Sequence, residues 1–376
     1  MTGDVRHLYV HLPFCAHRCG YCDFVTVVGR SGQHGAYVDV LLCELERERA
    51  VLADPVETVF VGGGTPSFTE PEALRRLLAA LPPALEVTVE ANPETVTPAL
   101  ATLFRESGVT RVSLGAQTFT PRLLEVLERV ASPDDVRGAV HTLRDASFDN
   151  VSLDLVYGIP GQEPSDLDHD LAEALALAPE HLSLYELEAK RGTRFTHAWG
   201  AELERQSEAM EGYFERVVAT LTAAGYRWYE TANFCLTGGR AGGRDLRAQH
   251  NLGYWHGSDY LGVGIGAVST LGGLRRRNGA SIARYVAALA AGADPPRELE
   301  RLDPLTKAQE RVMLGLRLDE PLAVRGVAAA VDRAALARMV QGGLVVAQAD
   351  ASGQETLVLT PRGRFLGGGV TAELLA

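Results

Sequence analysis

The 376-residue chain has little lysine, few cysteines and no long apolar run. Lysine occurs only at positions 190 and 307, and the net charge is −12. An acidic chain is a poor candidate for wrapping nucleic acid or lying on anionic lipid. No apolar stretch approaches the length that spans a bilayer, and the N-terminus lacks the charged and apolar regions of a signal peptide. We therefore predict a cytoplasmic protein that binds no nucleic acid and has no membrane span.

Cysteine is scarce as well, because the chain has only five, and three of them lie within eight residues. Cytosolic thiols are normally reduced, so the sequence favours a metal or cluster site over a disulfide framework. The clustered residues are Cys15, Cys19 and Cys22, with the spacing C-x3-C-x2-C. The other two, Cys43 and Cys235, are predicted to be buried structural thiols, because a free thiol packs like a small apolar group.

Three thiolates form an incomplete ligand set for a structural zinc ion, which requires four ligands. His17 could supply the fourth, but it lies between two cysteines of the same short loop, which makes a tetrahedral arrangement awkward. A [4Fe–4S] cluster held by three cysteines instead leaves one iron free for an exogenous ligand. The sequence therefore favours the cluster, and a zinc site is the alternative.

The first 224 residues alternate short apolar runs with amphipathic stretches. Strands are predicted at 7–12, 57–63, 85–93, 111–117, 149–158 and 181–187. Helices are predicted near 36–51, 70–81, 98–107, 121–130, 133–146, 164–177 and 203–224. About six strand–helix units at this spacing predict a parallel sheet with helices outside, as a partial (β/α)6 barrel of the α/β class.

Polar side chains recur at the ends of successive predicted strands. Glu90 and Asn92 follow the third strand, Gln117 closes the fourth, and Asp154 lies late in the fifth. The second strand ends in the glycine-rich sequence GGGTPS, at residues 62–67, where the backbone can approach a ligand closely. Because the carboxyl ends of barrel strands carry active sites, this recurrence predicts a functional rim rather than ordinary loop polarity.

Two further segments follow the predicted barrel. Residues 229–302 are rich in glycine and aromatic residues and poor in helical periodicity, so we predict an extended, β-rich segment at the barrel edge. Residues 303–376 contain predicted helices at 307–318 and 333–341, followed by a predicted hairpin over 343–363. This order predicts a small winged-helix-like module. Domain boundaries are therefore predicted after residues 228 and 302.

Ten short sequences along the chain resemble one known family. They include YVHLPFCAHRCGYCDF, GGGTPS, EANP, DLVYGIPGQ, HNLGYW and YLGVGIGA, in this order. On these motifs the chain is similar to the anaerobic coproporphyrinogen oxidase family of radical S-adenosylmethionine proteins. The cysteine and glycine motifs occur throughout that superfamily, whereas the full ordered set is specific to the family. The resemblance implies a radical-SAM barrel over residues 1–228.

The resemblance also implies roles for individual residues. Cys15, Cys19 and Cys22 would hold a [4Fe–4S] cluster, and its open iron would bind the methionine moiety of S-adenosyl-L-methionine. The amino group of that methionine would be contacted by three residues of the glycine-rich sequence, Gly63, Gly64 and Thr65. Cofactor-contacting positions of the family are matched here by five more residues, Tyr9, Glu90, Gln117, Arg129 and Asp154. The cofactor would supply the organic chemistry, and an electron donor would reduce the cluster.

Two features separate the branches of this family. The oxidases usually have a fourth cysteine two residues after the third, where this chain has Phe24, and a longer arm before the cysteine loop. The sequence HNLGYW resembles the H-N-x-x-Y-W signature of the haem-chaperone branch. In that branch His250 would supply an imidazole to haem iron, with Tyr254 and Trp255 packed on the porphyrin. The chain departs from the family pattern at Val268, where a histidine is common.

On this resemblance we predict a haem chaperone that binds haem and transfers it to an acceptor protein. The alternative is an oxygen-independent coproporphyrinogen III oxidase, or another radical enzyme that acts on a tetrapyrrole. Whether the chain is an enzyme is left open, with the chaperone favoured, and no catalytic residue is assigned. The expected partners are haem, a haem-acceptor protein and an electron donor for the cluster.

Overall fold

A computed structural model describes residues 3–190 and 194–375, and a sheet of twelve strands forms its centre. Seven neighbouring strands of this sheet are parallel. In spatial order they are Tyr260–Val263, His7–Leu12, Val56–Gly63, Ala84–Ala91, Arg111–Gln117, Val151–Tyr157 and His181–Glu186. Antiparallel strands extend the two edges: Val268–Leu271, Leu274–Asn278 and Arg297–Arg301 on one, Asn233–Leu236 and Tyr226–Glu230 on the other. The partial α/β barrel predicted from the sequence is confirmed.

Helices connect the consecutive parallel strands and cover the outer face of the sheet. They are His34–Glu48, Pro71–Ala80, Pro98–Glu106, Pro121–Val126, Pro133–Asp145, Pro164–Ala176 and Arg194–Ala223. Five of them begin with proline, whose fixed φ suits the first helical position. At one of these starts Ser132 and Asp135 form a capping box, in which each side chain bonds the other's backbone N–H. The helix predicted from residue 203 begins earlier, at Arg194.

Side chains of the parallel strands alternate between an apolar outer face and a polar inner face. In the first strand, Leu8, Val10 and Leu12 are fully buried under the helices. The opposite face points into the barrel, and at the amino ends of the strands it holds buried polar groups. Five of these are Thr58, Glu86, Arg111, Ser152 and His181. Because hydrogen-bonded side chains fill this end, the space for a ligand lies at the carboxyl ends.

The glycine- and aromatic-rich segment is more regular than the sequence predicted. Its strand Tyr260–Val263 pairs in parallel with the first strand, which adds a seventh strand to the predicted six. The HNLGYW sequence lies in a helix, Gln249–Trp255, and Ile282–Ala290 is helical too. The first two residues of the HNLGYW helix donate backbone N–H groups to the Glu86 carboxylate, at 3.3 and 3.2 Å. This cap comes from a strand 163 residues earlier, so local periodicity could not predict the helix.

The last part of the chain has its own apolar core. Its helices are Pro304–Gly315, Arg333–Gln341, Pro361–Phe365 and Gly367–Leu374, and its strands are Leu322–Ala323, Val345–Ala349 and Glu355–Leu359. Two helices followed by a hairpin give the predicted winged-helix-like order. The ion pair between Arg317 and Glu230, at 2.7 Å, joins this unit to the barrel sheet. The boundaries after residues 228 and 302 stay predictions, since one sheet includes strands from both of the first two segments.

A helix that crosses a membrane has to be both long and predominantly apolar. Across residues 3–190 and 194–375, no helix is both long enough and apolar enough to span a bilayer. The longest described helix, Arg194–Ala223, carries charged residues along its length.

Candidate functional site

A cavity of about 460 Å³ opens at the carboxyl ends of the parallel strands. Its lining brings together ten of the predicted site residues: Cys15, Cys19, Cys22, Gly63, Gly64, Thr65, Glu90, Gln117, Arg129 and Asp154. Two other predicted residues, Tyr9 and His250, lie elsewhere. Cavities of this size accommodate small organic ligands. The arrangement is therefore suited to a cofactor rather than to an isolated ion.

The three cysteines of the cavity lie on one short strand and the loop after it. Cys15 ends the strand Phe14–Cys15 and is buried, while Cys19 and Cys22 are partly exposed. The Thr65 hydroxyl donates to Cys15 Sγ at 3.5 Å, and Arg129 Nη1 donates to Cys19 Sγ at 3.6 Å. Burial raises the pKa of the Cys15 and Cys22 thiols, so a bound metal would have to displace their protons.

The cysteine arrangement bears on the choice between a multi-iron cluster, which stays the prediction, and a single metal ion. Among the residues that the structure describes, no three His, Cys, Asp or Glu side chains converge on one ion position. A zinc site needs its ligand atoms at about 2.0–2.3 Å from one centre. The thiolates of a [4Fe–4S] cluster bind different irons and lie further apart. His17, the candidate fourth zinc ligand, lies 3.9 Å from the Glu128 carboxylate instead.

The glycine-rich loop offers carbonyl oxygens rather than N–H groups to a ligand. The backbone N–H groups of Gly63, Gly64 and Thr65 donate within the protein, at 3.2, 2.8 and 2.8 Å. A Cβ atom at Gly64 would lie 2.6 Å from the Pro13 carbonyl, and Gly63 has a φ of 116°, so both positions require glycine. Carbonyl oxygens accept hydrogen bonds from an amine, which suits the predicted contact with a methionine amino group.

Two half-buried carboxylates, Glu90 and Asp154, lie on neighbouring parts of the cavity wall. Burial and then the charge of Asp154 raise the pKa of Glu90 to about 7, although the Gly63 N–H donates to it. Burial also raises the pKa of Asp154, against hydrogen bonds from Ser113, at 3.0 Å, and Ser183. A cationic ligand would lower both pKa values. The pair can therefore bind an amine or hydroxyl-bearing cofactor.

Replacing Glu90 with glutamine is expected to flatten the pH dependence of stability in the cofactor-free protein. The folded chain keeps a proton on Glu90 up to about pH 7, whereas the ordinary pKa of a glutamate in an unfolded chain is 4.5. Folding therefore takes up a proton between these values, and stability falls as pH rises, by up to about 3 kcal/mol. Urea unfolding at about pH 5 and about pH 7.5 measures the difference. Equal pH dependence in wild type and Glu90→Gln would contradict this assignment.

Arg129 and Gln117 are held in the cavity wall around Gly115. Arg129 Nη2 donates to Asn92 Oδ1 at 2.9 Å and to the Gly115 carbonyl at 3.0 Å. Gln117 has a left-handed backbone, with φ of 65°, at a register shift in its strand. A Cβ atom at Gly115 would lie 2.8 Å from Gln117 Nε2, so a larger residue there would displace the end of the Gln117 side chain. Backbone strain of this kind concentrates at functional sites.

Tyr9 lies inside the barrel rather than in the cavity lining. Its hydroxyl is 3.0 Å from His11 Nδ1, and its ring stacks on Phe60 at a centroid distance of 6.2 Å. Burial, with a further contribution from Glu90, raises the pKa of Tyr9 well above its usual value. Tyr9 is therefore close enough to Glu90 for the carboxylate charge to affect its pKa. Direct contact of Tyr9 with a cofactor stays a prediction.

Haem-iron binding by His250 stays a prediction, and the structure shows a buried, hydrogen-bonded environment for this residue. The residue is 1% exposed, its ring lies 5.2 Å from that of Phe60, and it is not part of the cavity lining. Its Nδ1 lies 2.7 Å from the Thr58 hydroxyl and its Nε2 lies 2.8 Å from the Tyr254 hydroxyl. Burial lowers its pKa to about 3, so the ring is neutral. With both nitrogens hydrogen-bonded, His250 has a structural place in the barrel interior.

The cavity also contains residues to which no role was assigned from the sequence. Phe24, which replaces the fourth cysteine of the oxidases, is 69% exposed and belongs to the lining. Lys190 forms an ion pair with Asp23, which ties the cysteine loop to the segment after the last parallel strand. Five lining residues belong to HLSLYELEAKRGT, residues 181–193, another of the ten short sequences that resemble the family: Tyr185, Glu186, Leu187, Glu188 and Lys190.

The two remaining cysteines differ from each other. Cys235 is buried, as predicted. Cys43 is exposed, and the prediction of a buried thiol is wrong there, because Cys43 lies on the solvent side of the helix His34–Glu48. Neither residue belongs to the cavity lining.

Comparison with known proteins gives matches along the whole chain. Residues 9–174 match the Radical SAM superfamily. The chain is 37% identical to the heme chaperone HemW of Mycobacterium tuberculosis, with 100% of this chain and 96% of that protein covered. It is 34% identical to the heme chaperone HemW of Bacillus subtilis, with 83% of each chain covered.

A solved structure shares the fold. Coproporphyrinogen III oxidase (HemN) from Escherichia coli superposes with a TM-score of 0.80 and 22% identity, over 99% of this chain and 90% of that one. At that identity the likeness shows the architecture alone. The near-complete coverage at 37% identity shows more, and the chain belongs to the HemW family of the radical SAM superfamily.

Proposed function

We propose that the protein is a haem chaperone, which binds haem and transfers it to an acceptor protein. The proposal rests on Phe24, an exposed apolar residue of the cavity where the oxidases carry a cysteine. It is supported by the relatives named heme chaperone HemW, which match most of this chain. A phenyl ring cannot ligate iron. The cysteine loop would therefore supply three thiolate ligands to one cluster and no fourth ligand.

The chain's own residues would hold the cluster and its ligand. Cys15, Cys19 and Cys22 would ligate three irons of a [4Fe–4S] cluster, and S-adenosyl-L-methionine would bind the fourth. When bound, these groups supply one-electron redox chemistry. The donors to sulfur from Thr65 and Arg129 would stabilise negative charge on the cluster. The carbonyls of the glycine-rich loop and the two half-buried carboxylates would orient the methionine amino group.

The second candidate is an oxygen-independent coproporphyrinogen III oxidase. It is favoured by the fold that this chain shares with the Escherichia coli enzyme. Against it stands the residue at position 24, because the thiolate that the oxidases place there is replaced by a phenyl ring. A chaperone binds its ligand without converting it chemically, and we assign no catalytic residue.

The proposed partners follow from this function. They are haem itself, a haem-acceptor protein, and an electron donor that reduces the cluster. We place the protein in the cytoplasm, where thiols stay reduced and can ligate iron. The five cysteines support this location, because all of them are free in the structure.

Haem titration of the anaerobically reconstituted protein tests the proposal. A chaperone is expected to saturate at about one haem per chain, with a Soret band that differs from that of free haem. The change in absorbance against added haem gives the stoichiometry and Kd. Linear, unsaturated uptake, like that of an unrelated protein of similar size, would show non-specific binding and sink the proposal.

A further inference from the structure

A second cavity, of about 710 Å³, lies beside the cofactor cavity. It is enclosed between the carboxyl ends of the last two parallel strands and the C-terminal unit. The two cavities share three lining residues, Tyr185, Glu186 and Glu188. A ligand in the second cavity would therefore lie next to the cluster and S-adenosyl-L-methionine.

The second cavity contains an arginine with spare hydrogen-bond donors. Arg364 donates from Nη1 to the Trp228 carbonyl at 2.7 Å, and its guanidinium carbon lies 3.6 Å from the centroid of the Trp228 ring. Its Nε and Nη2 atoms are buried and have no hydrogen-bond partner among the described residues. Buried donors without partners are costly, so a rotation of the Arg364 side chain toward the cavity, where a ligand oxygen would accept from both atoms, is favourable.

The charge on Arg364 is available to an anion. Burial lowers the pKa of Arg364 to about 10, which leaves the guanidinium charged at neutral pH. The other arginine of the cavity, Arg317, is already paired with the buried carboxylate of Glu230 at 2.7 Å. The anionic residues Glu186 and Glu188 lie on the side shared with the cofactor cavity. The cavity therefore has one acidic side and a separate cationic group.

The rest of the lining suits a large, flat, apolar ligand. Its apolar and aromatic surface comes from both the barrel and the C-terminal unit: Tyr157, Leu184, Phe214, Leu316, Leu359 and Phe365. Tyr185 and Met313 also line it, at 42% and 49% exposure, and both side-chain types can ligate haem iron. The volume falls within the range of cavities that hold cofactors.

We propose that this second cavity is the haem site, with a propionate of haem bound to Arg364 and the porphyrin between the barrel and the C-terminal unit. The inference rests on the proposed chaperone function and replaces His250 as the centre of haem binding. A carboxylate accepts two parallel hydrogen bonds from a guanidinium edge, and Nε and Nη2 of Arg364 form such an edge. The porphyrin edge that carries no propionate would then face Glu186 and Glu188.

Titration of four variants with ferric haem, followed at the Soret band, tests the site. Arg364→Gln removes the charge, and its control is Arg362→Gln, an exposed arginine of the same short helix outside the lining. Gly368→Trp adds bulk at the lining, and its control is Gly369→Trp, where an exposed glycine lies outside it. A Cβ atom at either glycine meets nothing within 4 Å, so a side chain can begin at both positions without a clash, and circular dichroism checks that both variants fold.

Arg364→Gln and Gly368→Trp are each expected to raise the Kd for haem at least about tenfold, and the controls to stay within about twofold. Gly368→Trp keeps the test valid if Arg364→Gln proves unstable, because it leaves the Arg364–Trp228 contact in place. Wild-type Kd values in both test variants would overturn the cavity as the haem site. Absence of saturable binding in wild type would instead overturn the chaperone function itself.

Discussion

Cys19→Ser is expected to lower the iron content of the anaerobically reconstituted protein from about four irons per chain to less than about one. Cys19 is partly exposed and shares the cavity with the other two thiols, so its loss opens one corner of the cluster. A serine hydroxyl is a poor replacement for a thiolate at iron. Iron and sulfide analysis, together with the charge-transfer absorbance of the cluster, measures the loss.

Cys43→Ser is the matched control for this experiment. Cys43 is an exposed thiol on the helix His34–Glu48 and lies outside the cavity, so its replacement is expected to leave the iron content unchanged. Full iron retention in Cys19→Ser, or stoichiometric zinc in place of iron, would mean that the three cysteines do not hold the cluster.

His250→Ala is expected to lower the free energy of unfolding by about 3 kcal/mol while leaving haem binding of the folded protein intact. The substitution removes a buried ring, leaves the Tyr254 hydroxyl without its partner, and leaves the Thr58 hydroxyl with His7 alone. Urea unfolding measures the loss of stability. A Soret titration, at a temperature where the variant is fully folded by circular dichroism, measures haem binding.

His141→Ala provides the comparison, because His141 lies on the helix Pro133–Asp145 with its side chain 78% exposed. A surface substitution of this kind is expected to change stability by less than about 0.5 kcal/mol. If His250→Ala were as stable as His141→Ala yet failed to bind haem, His250 would be a ligand, and its buried, hydrogen-bonded place would not describe the haem-binding state.

The barrel and the cofactor cavity could be predicted because their signals are local in the sequence. The alternation of Leu8, Val10 and Leu12 with polar residues identifies a strand with one apolar face. Three cysteines within one short loop lie close together irrespective of the fold of the rest of the chain. Glu90 and Asp154 lie on the strands Ala84–Ala91 and Val151–Tyr157, which flank a third parallel strand, and parallel strands bring their carboxyl ends to one edge of the sheet.

The environment of His250 could not be predicted, because it depends on distant parts of the chain. Thr58, which bonds the His250 ring, is 192 residues away, and Glu86 caps the helix from a separate strand. The motif HNLGYW predicts a haem ligand, but it does not indicate that the fold surrounds its histidine with buried hydrogen-bond partners. The position of Arg364 in a cavity could not be predicted for the same reason, because that cavity forms only where the C-terminal unit meets the barrel.

The account distinguishes a carrier from an enzyme, and one anaerobic incubation tests that distinction directly. Reconstituted, reduced protein with S-adenosyl-L-methionine is incubated in parallel with haem and with coproporphyrinogen III, and the tetrapyrroles are extracted and quantified by chromatography. A haem chaperone is expected to return haem unchanged, bound at about one per chain, and to leave coproporphyrinogen III unconverted. Catalytic formation of protoporphyrinogen would contradict the account.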